Sequence, residues 1–154
     1  MSLTNILPSA SEAPTATVTA TETATAATTG TRLERGLQVL GRIELDLGNP
    51  HGLLHGMRVH APRFKQHTIE HFGDRFADDQ RLEVRTKLLV ALALSATQPG
   101  HDDLLEFHIG AALKAGWDRE QIIETFELVG AYAGQPAALR AVKVAIATFE
   151  KVDA

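Results

Sequence analysis

Apolar residues repeat at helical spacing in one segment after another of this 154-residue sequence, and glycine or proline stands at most of the breaks between the segments. Leu33, Leu37 and Leu40 open the pattern. No segment shows a secure alternation of apolar and polar residues, which is typical of a half-buried strand. The sequence therefore predicts an all-α fold, a compact bundle of about six helices in antiparallel hairpins with short connections.

Local signals predict the helix ends in the first half of the chain. Thr31 is a plausible N-cap for the first helix, and Gly48 with Pro50 would end it. The range 50–62 is broken by glycine and proline and predicts only a short helical turn. Pro62 suits the first position of another helix. On that helix one apolar face is expected from Phe64, Thr68, Phe72 and Phe76, with Lys65, Glu70 and Arg75 facing elsewhere.

The second half of the chain predicts four more helices. Residues 81–97 carry no charge after Lys87, which favours a core helix buried on most sides. The next helix would be capped by Asp102 or Asp103 and ended by a left-handed residue at Gly116. A capping box of Asp118 and Gln121 opens the third, and Gly134 and Pro136 separate it from the last. In that last helix an apolar repeat is formed by Leu139, Val142, Ile146 and Phe149.

The first 30 residues differ in composition from the rest. They hold nine threonines and seven alanines but no lysine or arginine, which predicts a disordered Thr/Ala-rich tail before a single domain at 31–154. They lack the basic start and continuous apolar stretch of a secretory signal, and we expect a cytoplasmic protein. A net charge of −4 argues against nucleic acid and membrane surfaces as partners.

One histidine stands out as a candidate for chemistry. Positions 101, 104, 105, 108 and 112 share one helix face, which places His108 among apolar residues. From spacing alone, a packed and hydrogen-bonded core histidine is the more common interpretation. The absence of cysteine removes thiol nucleophiles and thiolate metal sites.

Longer motifs carry a resemblance to a known family. The runs are RLERGLQVLG at 32–41, RTKLLVALAL at 85–94, LLEFHIGAALKAGWDREQIIE at 104–124 and GAYAGQPAALRAV at 130–142. In this order and spacing they resemble the carboxymuconolactone decarboxylase family of the alkylhydroperoxidase D-like superfamily. The resemblance implies the all-α fold of that superfamily and covers nearly all of 32–154.

The chain departs from the family pattern at three places. Where the peroxidase branch has a Cys-x-x-Cys pair, His101 and Leu104 stand here, so the resemblance does not extend to peroxidase activity. The upstream glutamate of that branch has no counterpart near Leu89. The Trp-Gly-Glu-x-Trp segment of the decarboxylases corresponds to residues 72–76, Phe-Gly-Asp-Arg-Phe, which would reshape a pocket.

The resemblance implies a cofactor-independent decarboxylase, a lyase acting on a carboxylated lactone or a similar carbonyl-conjugated small acid. Such a substrate is its own electron sink, so the protein need only position and protonate it. We expect His108 to donate the proton, Asp74 to orient His108 or raise its pKa, and Arg85 to bind a carboxylate. The structural alternatives are a core histidine, a surface or capping carboxylate, and an arginine paired with Asp78 or Glu83.

Other polar residues complete the predicted site. His71, His67, His101 and Tyr132 are expected to contact the substrate. The pairs His51/His55 and His67/His71 have the i, i+4 spacing that can hold a divalent metal. The run HTIEH is not the metalloprotease motif, and solvated histidines are the favoured interpretation, so no metal site is predicted.

Two other functions are compatible with the sequence. The same pocket could serve an isomerase or cyclase acting on another small carbonyl metabolite, or the chain could be a non-catalytic small-ligand-binding oligomer. The helix at 81–97 and the last helix offer more apolar surface than a monomer of this length needs. Members of the superfamily that the chain resembles are typically homo-oligomers. Together these two points predict a homo-oligomer, with a trimer or hexamer favoured.

Overall fold

Seven α-helices form the part of the chain that the computed structural model describes, residues 30–47, 52–79 and 81–154. Their bounds are α1 Arg32–Ile43, α2 Met57–His60, α3 Pro62–Phe76, α4 Val84–Ala96, α5 Asp102–Lys114, α6 Arg119–Ala133 and α7 Gln135–Asp153. These ranges contain no strand. The predicted all-α fold is confirmed, and the expected short turn before Pro62 is the four-residue helix α2.

The predicted caps and breaks account for most helix ends. The Thr31 side chain accepts from the backbone N–H of Glu34, and Asp118 accepts from Gln121, each within a capping box. Gly116 has φ +87° and follows the end of α5, as expected for a left-handed residue. At α5 the N-cap is His101, so the prediction that Asp102 or Asp103 caps this helix was wrong. Both carboxylates lie in its first turn, where their negative charge interacts favourably with the positive end of the helix dipole.

Other boundaries lie outside the described residues. Helix α1 ends at Ile43, and the breakers predicted for it, Gly48 and Pro50, fall in the undescribed range 48–51. The predicted tail lies outside the described residues except for Gly30. None of the described helices is long and apolar enough to cross a membrane.

Helix α5 joins two apolar clusters. On one side Phe107 and Ala111 pack with residues of α1, α3 and α4, including Val39 and Phe72. On the other, its buried residues pack with α4, α6 and α7. Four fully buried residues of this second cluster are Leu92, Leu105, Ile122 and Phe126. The position of α5 between both clusters fixes the side chains that it presents to each.

Helices α1 and α3 cross with their backbones in close contact. A Cβ atom built on Gly36 would lie 2.2 Å from the backbone oxygen of Ile69, and one built on Gly73 would lie 2.8 Å from Gly36. Only hydrogen fits between the two backbones at this point. Glycine at both positions therefore sets the distance between α1 and α3.

The expected inward face of α3 was partly wrong. Phe72 and Phe76 are buried, but Phe64 is exposed, and Glu70, which was expected to face elsewhere, is buried. The Glu70 carboxylate accepts from Gln66 Nε2 at 2.9 Å. This hydrogen bond from the preceding turn stabilises an otherwise costly buried carboxylate.

The expected burial of α4 and α7 also needs correction. Val90 and Leu94 of α4 are exposed, so this helix is not buried on most sides. On α7, Leu139 is 59% exposed and Ile146 is 50% exposed. The buried face of α7 instead holds Ala138, Ala141, Ala145 and Thr148. Small residues allow close approach to the neighbouring helices, which leaves the large apolar side chains on the outer face.

Candidate functional site

His108 lies where α5 packs against α4. Its side chain is buried, with 7% of the residue exposed, and its ring meets the Phe107 ring edge-on at 5.4 Å between centroids. Nδ1 lies 3.2 Å from the hydroxyl oxygen of Ser95, a buried residue of α4. The predicted placement of His108 on the apolar face of its helix is confirmed.

The Ser95 hydroxyl determines which ring nitrogen of His108 carries the proton. Its single hydrogen is donated to the backbone oxygen of Leu92 at 2.9 Å. The oxygen must then accept from Nδ1–H of His108, which makes Nε2 the nitrogen with the free lone pair. Nε2 has no hydrogen-bond partner among the described residues. Every fully buried side-chain nitrogen or oxygen of these residues does have a partner, so Nε2 is not fully buried and retains contact with the surface. It is the atom that a bound molecule can reach.

Burial determines the charge state of His108. Removal from water disfavours the imidazolium and lowers the pKa of His108 from 6.5 to about 4. The ring is therefore neutral at pH 7. The expectation that a carboxylate raises the pKa of His108 was wrong, because desolvation acts in the opposite direction.

Asp74 is engaged elsewhere. Its carboxylate on α3 accepts from Arg32 of α1 at 2.5 Å. This hydrogen bond lowers the pKa of Asp74, and the charges of Arg32, Arg35 and His71 act in the same direction. The structure thus places Asp74 in a surface ion pair between α1 and α3, without a hydrogen bond to His108.

Arg85 fastens α4 to the turn between α5 and α6. Its guanidinium donates to the backbone oxygen of Gly116 at 3.0 Å and lies 4.0 Å from the ring centroid of Trp117. The indole Nε1–H of Trp117 donates in return to the backbone oxygen of Arg85 at 3.1 Å. Neither Asp78 nor Glu83, the expected partners for a structural role, forms an ion pair with Arg85 in the described structure.

The predicted substrate-contacting residues are all exposed and are spread over three helices. His67 and His71 lie on α3, His101 is the N-cap of α5, and Tyr132 near the end of α6 is 91% exposed. The described structure does not gather them around His108. Among the described residues, no group of three or more histidine, aspartate or glutamate side chains could hold a metal ion. His51, one member of the predicted pairs, is not among these residues.

A comparison with protein families matches residues 62–147 to the carboxymuconolactone decarboxylase family. The chain belongs to this family. The match covers all of α3 to α6 and most of α7, so it includes His108 and Ser95. A search of curated proteins found no match.

In this member of the carboxymuconolactone decarboxylase family, the structure shows one residue of the candidate site that the sequence analysis did not identify, Ser95. Ser95 is the only hydroxyl residue between Lys87 and Ala96, in the otherwise apolar run LLVALALS. A lone serine in a buried helix requires a hydrogen-bond partner, and that requirement was the available signal. Which partner it finds depends on how α4 packs on α5, and spacing does not reveal that.

Proposed function

We propose that this protein is a cofactor-independent carboxy-lyase acting on a carboxylated lactone or a similar small acid whose carbonyl is conjugated. The observation that carries the proposal is His108: an ionisable ring buried within the family-matched region, held by Ser95 through one nitrogen and free at the other. Buried histidines with strongly shifted pKa values cluster at functional sites.

The proposed reaction needs only positioning and one proton. The bond between the ring carbon and the carboxylate breaks, carbon dioxide leaves, and the electron pair passes into the conjugated carbonyl to give a dienolate. A proton then adds to carbon, which restores the carbonyl and completes the exchange of the carboxylate for hydrogen. Because the substrate accepts the electrons, the protein supplies orientation, a dry wall and a proton donor.

Substrate binding would cause His108 to take up the proton that it later donates. His108 is neutral in the free protein, since burial lowers its pKa to about 4. A bound carboxylate near Nε2 adds a negative charge in a weakly hydrated place and raises the pKa of the ring. We therefore infer that the anionic substrate and a proton bind together. The proposal rests on His108, because Asp74 and Arg85 are engaged with Arg32 and with the α5–α6 turn.

The state of His108 also favours a second candidate function. A neutral imidazole with a free Nε2 lone pair is a base, as an isomerase requires for removing a proton next to a carbonyl. Such an enzyme would take the proton from one carbon and return it to another. Its substrate would be a small carbonyl metabolite, and the same buried pair would serve it.

A mass-resolved turnover assay separates these candidates. The purified protein is incubated with carboxymuconolactone and a panel of carboxylated lactones and β-keto acids. A carboxy-lyase removes the mass of one carbon dioxide, whereas an isomerase conserves mass and changes retention or optical activity. No change in any panel member would count against both enzymes and favour a ligand-binding protein.

We further propose that the chain assembles into a homo-oligomer, with a trimer or hexamer favoured. The support is the large apolar side chains that α4, α6 and α7 leave exposed. Exposed large apolar side chains on these helices are Val90, Leu94, Leu128, Tyr132, Leu139 and Ile146. A protein that leaves this many large apolar side chains exposed can bury them by association with further copies.

A further inference from the structure

Arg140 of α7 joins the two helices that carry the His108 centre. Its Nη2 donates to the backbone oxygens of Ala96 at 2.9 Å and Gln98 at 2.7 Å, at the end of α4. Its Nη1 donates to the carboxylate of Asp102, which lies in the first turn of α5. One guanidinium group is therefore bonded to the end of α4 on one side and to the start of α5 on the other.

The carbonyl oxygens at the end of α4 need partners from outside the helix. The last four carbonyls of an α-helix have no partner within it, and a positive side chain there also interacts favourably with the helix dipole. Ala96 is the last residue of α4 and is completely buried. The side chain of Arg140, which donates to it, is only 23% exposed. Without Arg140 this buried carbonyl would lose its donor, so the last turn of α4 would shift to reach water.

Ser95 lies in that last turn, directly before Ala96. Its backbone oxygen is 3.5 Å from Nη2 of Arg140, and its hydroxyl oxygen is 3.2 Å from Nδ1 of His108. The second distance depends on how the end of α4 is placed along α5. Arg140 fixes that placement because it is bonded to both helices.

We propose that Arg140 is a positioning residue that keeps the proton of neutral His108 on Nδ1. It does so by holding the Ser95 hydroxyl where the hydroxyl accepts from Nδ1–H. When that acceptor moves away, the proton is better placed on Nε2, which can donate to water at the surface, and the lone pair passes to the inner nitrogen. The consequence for catalysis rests on the proposed function, whereas the state of the ring does not.

Nitrogen-15 NMR of the free protein at neutral pH measures this state directly. Protonated and unprotonated ring nitrogens resonate at well-separated frequencies, and the spectrum of His108→Gln identifies the His108 signals by their absence. We expect the Nδ1–H form to predominate in the wild type. Arg140→Gln should lower the ratio of the Nδ1–H form to the Nε2–H form at least about fivefold, the factor expected for loss of one hydrogen bond. An unchanged ratio, or a wild type in the Nε2–H form, overturns the proposal.

Arg119→Gln is the matched control. Arg119 also pairs with an aspartate, donating to the Asp153 carboxylate at 3.0 and 2.6 Å. That bridge joins α6 to α7, neither of which carries Ser95 or His108. The ratio in Arg119→Gln should therefore stay within about twofold of the wild-type ratio. Equal changes in the Arg119 and Arg140 variants would mean that lost stability alone alters the ring, and would overturn the role assigned to Arg140.

Asp102→Asn tests the proposal without removing the bonds from Arg140 to α4. It abolishes the charge pair that ties Arg140 to α5, at a side chain that is 59% exposed, so the variant is expected to fold. Circular dichroism checks the fold of each variant. The ratio of the two ring forms should fall about twofold or more in Asp102→Asn. If Arg140→Gln does not fold, an unchanged ratio in Asp102→Asn overturns the proposal.

Turnover distinguishes failure of this proposal from failure of the proposed function. If the wild type releases carbon dioxide from carboxymuconolactone, Arg140→Gln should lower kcat by a larger factor than it changes KM, because it alters the reacting ring. A wild-type kcat in a variant with an altered ratio would contradict the effect of Arg140 on catalysis. A wild type without turnover contradicts the carboxy-lyase, while the ratio measured by NMR still decides whether Arg140 positions the His108 proton.

Discussion

Substitution of His108 by glutamine should change how the stability of the protein depends on pH. The pKa of His108 is lowered from its ordinary value of 6.5 to about 4 in the folded protein. Between these values the unfolded chain binds a proton that the folded chain excludes, so the free energy of unfolding falls as the pH falls. The shift of about 2.5 units, at about 1.4 kcal/mol for each unit, corresponds to about 3 kcal/mol.

Chemical denaturation at several pH values between 7.5 and 4, followed by circular dichroism, measures this effect. The wild type should lose about 3 kcal/mol more stability than His108→Gln over this range, because the variant lacks the titrating ring. The exposed His60 provides the control. His60→Gln should follow the wild-type curve, since its side chain meets water in both states. Parallel curves for the wild type and His108→Gln would refute the assignment of a buried, neutral His108.

Three further predictions concern packing and assembly. Gly36→Ala should destabilise the fold by about 1–3 kcal/mol, because the new Cβ would lie 2.2 Å from a backbone oxygen of α3. Gly41→Ala in the same helix places its Cβ within 4 Å of no atom and should be neutral or stabilising. Thermal denaturation compares the two variants. Arg140→Ala should lower the free energy of unfolding by about 1–3 kcal/mol, since Arg140 Nη2 donates at 2.9 and 2.7 Å to two carbonyl oxygens near the end of α4; unchanged stability in urea would contradict this. Ile146→Glu should reduce the mass measured by light scattering to that of a smaller species, while Lys143→Glu on the same helix should not; a wild type that is already monomeric would refute the proposed assembly.

Local signals in the sequence were sufficient for the helix order. A capping box such as Asp118 with Gln121, or a positive-φ residue such as Gly116, acts within one helical turn, and both were predicted correctly. At α5 the cap was misplaced by one or two residues, because His101 and the two aspartates that follow it are all compatible with the start of a helix.

Packing between helices could not be predicted in the same way. Helix α7 has two faces that are both apolar, one of alanines and one with Leu139 and Ile146, and periodicity does not indicate which turns inward. Close helix approach selected the small residues. Similarly, Glu70 could be recognised as buried only from the position of α1, which brings Arg32 to 3.9 Å from its carboxylate.

The candidate site shows the same limit. His108 was predicted from its helix face and from the family resemblance, and its burial is confirmed. Its hydrogen bond to Ser95 joins residues 13 positions apart on different helices, so it depends on the packing of α4 against α5. The expected neighbours Asp74 and Arg85 have nearer partners at the surface, Arg32 and the α5–α6 turn. Sequence reasoning identified the candidate reactive group, whereas its environment required the structure.

The most direct test of the proposed function is turnover of carboxymuconolactone in deuterated water by the wild type and His108→Gln. We predict release of one carbon dioxide, a product carrying deuterium on the carbon that receives the proton, and a rate at least about 100-fold lower in the variant with its fold intact. Carbon dioxide release at equal rates by both proteins would contradict the role of His108. Deuterium incorporation without carbon dioxide release would contradict the lyase and favour the isomerase.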